Sequence, residues 1–473
     1  MKLTQTDLRS IAHHASHLPE DSAGWAASGV STDSRTVEAG QLFVALRGER
    51  FDGHRYIPEV LACGVAGVVV DMQGAGAVPP GTPALIVENT FTALGQLAAV
   101  YRRKFKNPVL AVGGSNGKTT TKDMITRVLA TSYSVLSTEG NNNNHVGVPL
   151  TLFKLAKSHD IAVVEVGTNH PGEIAALRDI VQPTHVLLTN IGREHLEFFG
   201  DVEGVAKEET ALWESVASKN SLTAFVNADD PILARSAKAV RKRVRYGFRS
   251  REVNVRGSRI RLQPHGGVSF RFVGRAMKTP MEVQLQVPGL HSAVNALAAA
   301  AVGLSFRIKP GLVREALQAF AASSKRMEVE DNGGVIILND TYNANPDSSV
   351  AALETLAAYP ATGKRIAVLA DMLELGNAGV AEHERVGERV GALKLDYLLT
   401  YGTLGRIIAR ASGLRTAVSY DQKNILAEYL LELVAPGDVV LIKGSRGMKM
   451  EDVVLFLRER LGTVVRAAGS AKD

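Results

Sequence analysis

The chain has 473 residues, enough for about three domains at roughly 100–200 residues each. Apolar residues make up 45% and charged residues 22%, which excludes a disordered or fibrous chain and leaves material for several cores. Lysine and arginine number 54 against 48 aspartate and glutamate. The net charge of +6 suits anionic ligands without demanding nucleic acid, and the lone Cys63 excludes an internal disulfide and a cysteine-based zinc site.

Residues 1–14 lack the apolar run of a secretory signal. The longest weakly polar stretches, Val60–Val70 and Ala296–Phe306, are about half the length that spans a bilayer. A soluble cytoplasmic protein is expected.

Up to about Glu88 three short Val- and Ile-rich runs, Leu42–Leu46, Val65–Val70 and Ala84–Val87, predict buried strands. From Thr90 to Lys104 the spacing of Leu94, Leu97, Ala98 and Tyr101 predicts a helix, which Pro108 stops. Strands are then expected at Val109–Val112, Ile161–Val166 and His185–Ile191, with helices between them, one of them at Glu173–Val181. Such alternation predicts a parallel sheet covered on both faces, an α/β class. Over Val253–Val273 the period falls to two, as in an antiparallel hairpin, and Ala293–Gly303 returns to helix. Past Ala322, strands at Val335–Leu338, Ile366–Leu369, Tyr397–Tyr401 and Val439–Ile442 predict a further α/β unit. The domains expected are 1–88, 89–321 and 322–473.

The strand Val109–Val112 runs into Gly113, Gly114, Ser115, Asn116, Gly117, Lys118, Thr119 and Thr120, and a helix follows. Glycines let backbone N–H groups approach phosphate oxygens, and the helix N-terminus adds partial positive charge. Lys118 is placed to reach the β- and γ-phosphates of ATP, and the Thr119 hydroxyl to ligate Mg2+. The strict motif has glycine where this chain has Val112. Glu165 and His195 follow two of the neighbouring strands, and polar groups at such strand ends face the ligand crevice of an open α/β sheet. Both are candidate metal ligands. His170, beside Pro171 at a helix start, reads equally as a capping or packing histidine and as a catalytic one.

The loop, together with residues 165–174, 190–197, 206–209, 291–296, 326–328, 340–346 and 443–447, resembles the Mur ligases, ATP-dependent amide ligases of peptidoglycan synthesis. The strings Asn169-His170-Pro171-Gly172-Glu173-Ile174 and Tyr342-Asn343-Ala344-Asn345-Pro346 carry the resemblance furthest. It implies a three-domain fold with a central parallel-sheet phosphate-loop ATPase domain and a C-terminal Rossmann-like α/β domain. It further implies that UDP-N-acetylmuramoyl-tripeptide is joined to D-alanyl-D-alanine at the expense of ATP, with two magnesium ions.

Residue by residue, the resemblance implies catalytic and metal roles for Glu165, His195 and a carbamylated Lys207. It places Asn295 at adenine, Arg326 at the nucleotide phosphates and Asp340 at the ribose. Ser292 and Lys325 stand where the family has Asn and Gly, which bears on the local contact and on the turn before Arg326. Ser31, Ser34 and Arg35 would hold the UDP moiety, and Asn141, Asn144 and His145 would face the sugar and peptide. A monomer without nucleic-acid or membrane partners is expected. Three alternatives stay open. One is a folylpolyglutamate-type ligase, which would leave residues 31–35 unexplained. Another is a non-catalytic nucleotide-binding module. The last is a nucleic-acid-dependent NTPase, suggested by ten basic residues against one acid in Lys238–Arg261.

Overall fold

The computed structural model describes residues 2–11, 16–17, 25–49, 51–214, 223–263, 266–322 and 324–464. Three larger sheets follow one another along the chain, beside a two-stranded antiparallel pair of Leu3–Thr4 with Ala26–Ala27. In the first, Val30–Ser31, Leu42–Val44, Gly67–Asp71 and Ala84–Val87 pair in parallel, and Ser16–His17 adds an antiparallel edge.

The central sheet has nine strands. Val109–Gly113 lies between Ile161–Glu165 and His185–Leu188, all parallel. Val135–Ser137 extends it on one side, and Thr223–Asn227, Arg243–Gly247 and Val255–Leu262 extend it on the other. The hairpin expected over Val253–Val273 is present as Val255–Leu262 against Val268–Gly274, with a register shift between Ser258 and Arg261. Residues 264–265 of its turn lie outside the described residues. A third antiparallel strand, Met281–Leu285, closes that edge.

The last sheet has seven strands. Five of them are parallel, in the order Ala417–Tyr420, Tyr397–Tyr401, Arg365–Ala370, Val439–Lys443 and Val335–Asp340. Glu328–Asn332 and Thr463–Val464 pair antiparallel at one edge.

The helix Thr90–Arg102 sits between the first two sheets. Its apolar face, Leu94, Leu97 and Ala98, belongs to one buried cluster that runs from Leu42, Val69 and Leu85 to Val109, Val164 and Val186. The first and central sheets therefore share a core. The third sheet keeps cores of its own, one of which takes in Leu196 and Val205 from the central chain segment. Among the described residues no helix is long and apolar enough to cross a membrane.

Candidate functional site

Because Val109–Gly113, Ile161–Glu165 and His185–Leu188 are parallel neighbours, their C-terminal ends open on one crevice. The third domain faces that crevice and makes it a cleft of about 830 Å³. Its floor is the phosphate loop. Ser115 N–H donates to the Asn190 carbonyl at 2.9 Å, and Asn116 N–H to Asn190 Oδ1 at 3.0 Å. Gly114 N–H donates to Glu209 Oε2 at 2.8 Å beneath the loop. At Gly117 φ is +79°, and a Cβ there would lie 2.9 Å from Asn295 Oδ1. Only glycine both takes that backbone conformation freely and lets Asn295 approach the start of the helix Lys118–Leu129.

Behind the loop, the Thr119 hydroxyl donates to Glu165 Oε1 at 3.0 Å, and Asn143 Nδ2 donates to the same oxygen at 2.9 Å. Glu165 Oε2 is buried and has no partner. An unpartnered carboxylate oxygen beside the loop threonine fits magnesium, which typically takes one or two carboxylates and completes its shell with phosphate oxygens and water. Among the described residues no group of three or more His, Cys, Asp or Glu side chains could hold a metal ion.

Lys118 Nζ lies 3.5 Å from Glu194 Oε2 and 3.3 Å from the Ser115 carbonyl. Burial opposes its charge, but Glu194, Glu209 and Glu165 outweigh burial and hold its pKa above the ordinary lysine value. Burial pushes the Glu209 carboxyl up to about 7, with Lys118 partly opposing. The phosphate loop thus keeps a charged lysine in a partly desolvated site, where it acts on phosphate more strongly than in water.

Most expected site residues meet here. Ser115, Asn116, Gly117, Lys118, Thr119, Thr120, Glu165, His195, Asn295, Arg326 and Asp340 all line the cleft, as do Asn141, Asn144, His145 and His170. Gly114 lies buried below. Ser292 spends its hydroxyl on the Pro288 carbonyl at 2.7 Å. Lys325 adopts φ +63°, so the turn before Arg326 keeps the left-handed form that glycine would favour. Its Nζ is anchored on Glu451 at 3.1 Å. The Arg326 guanidinium lies over Tyr342, 3.7 Å from the ring centroid. The Asp340 carboxylate is already engaged, with Lys443 Nζ at 2.6 Å and the Met327 N–H at 3.1 Å.

Four expected residues lie elsewhere. Lys207 is exposed on the helix Val202–Thr210 and does not line the cleft, whereas its neighbours Glu208 and Glu209 turn inward. Glu208 receives the N–H groups of Gly172 and Ile174, each at 2.8 Å. Ser31, Ser34 and Arg35 form a polar turn away from the cleft, in which Arg35 pairs with Asp33 at 2.6 Å. The ten basic residues of Lys238–Arg261 also stay out of the cleft, and Arg245 pairs with Glu252 at 3.3 Å.

Sequence reasoning missed Glu194, Glu209, Asn143 and Tyr342 as functional side chains. Glu194 carried a signal, since it directly precedes His195 at a strand exit. It also missed Glu374, whose Oε2 lies 2.5 Å from His195 Nδ1, a contact that holds the carboxyl below its ordinary pKa. Nothing local in the sequence marks that pair, which is 179 positions apart by residue number.

Models of known families match in three stretches: the Mur ligase family catalytic domain at residues 26–102, the Mur ligase middle domain at 112–303 and the Mur ligase glutamate ligase domain at 325–446. The UDP-N-acetylmuramoyl-tripeptide--D-alanyl-D-alanine ligase of Bacillus subtilis is 36% identical over 443 residues, covering 91% of this chain and 93% of that protein. A crystal structure of MurF from Acinetobacter baumannii is 29% identical with a TM-score of 0.87, covering 97% of this chain and 99% of that one. MurF ligase from Thermotoga maritima in complex with ADP is 28% identical with a TM-score of 0.81, covering 92% and 97%.

Proposed function

The chain belongs to the Mur ligase family, and on that premise we propose that it joins UDP-N-acetylmuramoyl-tripeptide to D-alanyl-D-alanine through an acyl phosphate, converting ATP to ADP and phosphate. The observation that carries this assignment is one cleft in which a charged phosphate-loop lysine, an unpartnered buried carboxylate oxygen and the arginine of a facing domain converge.

A carboxylate is a poor electrophile and must first take the γ-phosphoryl group. Its oxygen attacks phosphorus while the bond to ADP breaks. Bringing two such anions to ~4 Å costs about 4 kcal/mol per unit-charge pair at an effective dielectric near 20. Lys118 and the N–H groups at the start of the helix Lys118–Leu129 offset this at the phosphates, and Arg326 approaches from the third domain, held flat by Tyr342. Thr119 and Glu165 would hold a magnesium ion, with His195 nearby, and bound magnesium neutralises phosphate oxygens and polarises the transferring group. Asn295 offers adenine an amide, and Asn141, Asn144 and His145 offer the sugar and peptide hydrogen-bonding groups. The dipeptide amine then attacks the acyl carbon. Phosphate leaves with the bonding pair of the C–O bond, and the amine loses a proton as the amide forms.

The domain division that goes with this assignment gives UDP to residues 1–88, ATP to 89–321 and the closing face to 322–473. Ser31, Ser34 and Arg35 would contact UDP, for which Arg35 must exchange Asp33 for a pyrophosphate oxygen. Lys207 enters only as a carbamate, whose negative charge a second magnesium would draw inward from solvent; exhaustive bicarbonate removal should then lower turnover reversibly. A cytoplasmic location goes with this reading. The decisive assay measures phosphate release with ATP, Mg2+ and each UDP-muramoyl peptide, with and without D-alanyl-D-alanine. Release is expected to require both acceptor and dipeptide, and full-rate hydrolysis with neither, or only with DNA, sinks the assignment.

A further inference from the structure

We propose that Glu374, carried by the third domain, is the positioning residue for His195 of the central domain, so that docking of the third domain prepares the nucleotide site. The inference rests on the ligase function above for its kinetic consequences, but its geometry stands alone.

Glu374 Oε2 lies 2.5 Å from His195 Nδ1, an ion-pair contact off the line of the ring N–H, so that the buried Nδ1 makes no hydrogen bond. A backbone hydrogen bond joins the same two segments, from Glu197 N–H to the Glu374 carbonyl at 3.1 Å. Both partners sit in left-handed backbone conformations, His195 at φ +49° and Glu374 at φ +63°. Neither has the freedom of glycine, so each is held there by what surrounds it. Two residues later Gly376 takes φ +51°, and a Cβ there would lie 3.0 Å from Glu197 Cα. The approach of the loop therefore leaves no room for a side chain. Leu196, the residue after His195, is buried in a core of the third domain. The segment that carries His195 is thus seated on the third domain rather than on its own sheet.

The chemistry of that seat is specific. A carboxylate accepts and cannot donate, so a small rotation that aligns this contact would fix the proton of a neutral imidazole on Nδ1. The lone pair is then on Nε2, the nitrogen that faces the phosphate-loop side of the cleft. Nε2 is 4.0 Å from Glu194 Oε2, and that oxygen is 3.5 Å from Lys118 Nζ. A line of four side chains therefore runs from the third domain to the phosphate-loop lysine. A histidine whose second nitrogen is held by a carboxylate is a better-oriented and more basic ligand than a free one. In this protein the carboxylate comes from a different domain, so His195 acquires its tautomer only when the third domain is in place.

The test uses the full chain with 15N-labelled histidine, first without metal, nucleotide or substrate, at a pH where the ring is neutral. The His195 resonances are assigned by their loss in His195→Gln. In the wild type the proton is expected on Nδ1, and in Glu374→Ala on Nε2. Glu374→Gln, whose amide oxygen still accepts, should keep it on Nδ1. In the assay, Glu374→Ala should lose about 10- to 100-fold in kcat and require more Mg2+, as is usual when the partner of a metal-facing histidine is removed. The KM for ATP should stay within about threefold, because the nucleotide contacts are untouched. Glu374→Gln should recover most of the loss, and adding Glu374→Ala to His195→Ala should cost nothing further. A wild-type proton on Nε2, or a Glu374→Ala enzyme with unchanged tautomer and Mg2+ requirement, overturns the proposal. A drop in thermal midpoint alone, with tautomer and kcat preserved, also overturns it, since that is what a merely structural contact would give. If no ligase activity is found at all, the ligase assignment fails while the tautomer still decides the role of Glu374.

Discussion

The central domain meets its two neighbours through seams of opposite character. Toward the first domain the seam is apolar and continuous: Leu94 and Leu97 are fully buried between Leu42 and Leu85 on one side and Val109 and Val186 on the other. Toward the third domain the contacts around the cleft are polar and separate. Asn345 Nδ2 donates to Asn116 Oδ1 at 2.8 Å, Arg193 pairs with Asp347 and Glu382 at 3.2 and 3.1 Å, and His195 pairs with Glu374. Leu196 and Val205, with the partly buried Ile191 and Phe199, are the apolar exception. An apolar seam cannot open without exposing its area to water, whereas a polar one exchanges its partners for water at little cost. The third domain is therefore expected to undock more readily than the first, with the first two domains staying together.

The largest expected effect sits where the polar seam meets the phosphate loop. Lys118→Ala removes a cation from the point where charge develops during phosphoryl transfer. Phosphate release should fall by roughly 10²-fold or more, the range for losing one such electrostatic group. Wild-type turnover in Lys118→Ala would show that the loop is not the phosphate site.

Lys118 also marks how far the sequence could be read. The loop was legible because strand, glycines, Lys-Thr and helix are contiguous, and so was the strand end that presents Glu165. The carboxylates that keep Lys118 charged were not, because Glu209 reaches Gly114 from 95 positions away and reads in sequence as part of a solvated Lys-Glu-Glu face. The expectation for Lys207 came from the resemblance alone, and the structure leaves that side chain exposed beside the inward-turned Glu208 and Glu209. Thr223–Asn227 and Arg243–Gly247 escaped as strands for a related reason. One is buried throughout and too short to show a period, and the other is interrupted by exposed and half-buried arginines. Ser31, Ser34 and Arg35 were legible only as motif; none lines the cleft, and Ser31 and Arg35 bond to Asp33 instead.

The apolar seam yields the next effect. Leu97 is fully buried. Leu97→Ala leaves a cavity between two sheets and should cost about 2–5 kcal/mol of stability. By calorimetry the first and central domains should still unfold in one transition, at a lower midpoint. Two separated transitions would break the claim that they form one body.

Glu209 gives a smaller effect with a defined sign. Its folded-state pKa of about 7 lies above the ordinary 4.5. Between those values the folded protein holds a proton that the unfolded chain has released. The stability linked to this group is present on the acid side and is lost as pH rises through about 4.5 to about 7. Glu209→Gln keeps an acceptor for the Gly114 N–H but cannot ionise. Its thermal midpoint should fall less steeply than the wild type between about pH 5 and about pH 8. An unchanged slope would place the titration elsewhere.

The smallest effect on stability is expected at Arg193, and it separates the two seams most directly. Arg193→Ala removes two ion pairs to the third domain, both partly exposed. Pairs of this kind contribute about 1 kcal/mol or less, so the thermal midpoint should barely move. The docking of the third domain should respond far more, because a seam made of few polar contacts loses a large share of its hold with any one of them. By small-angle scattering, Arg193→Ala should have a larger radius of gyration than the wild type at low ionic strength. Salt should reproduce the mutation: the screening length falls from about 10 Å near 0.1 M to about 3 Å near 1 M, so the wild type should expand toward the variant as salt is added. The variant itself should change little. Leu97→Ala is the control, since an apolar seam does not weaken with screening. If the two proteins expand equally with salt, Arg193 is not what holds the third domain down, and the polar seam owes its hold to Asn116, His195 and the buried Leu196.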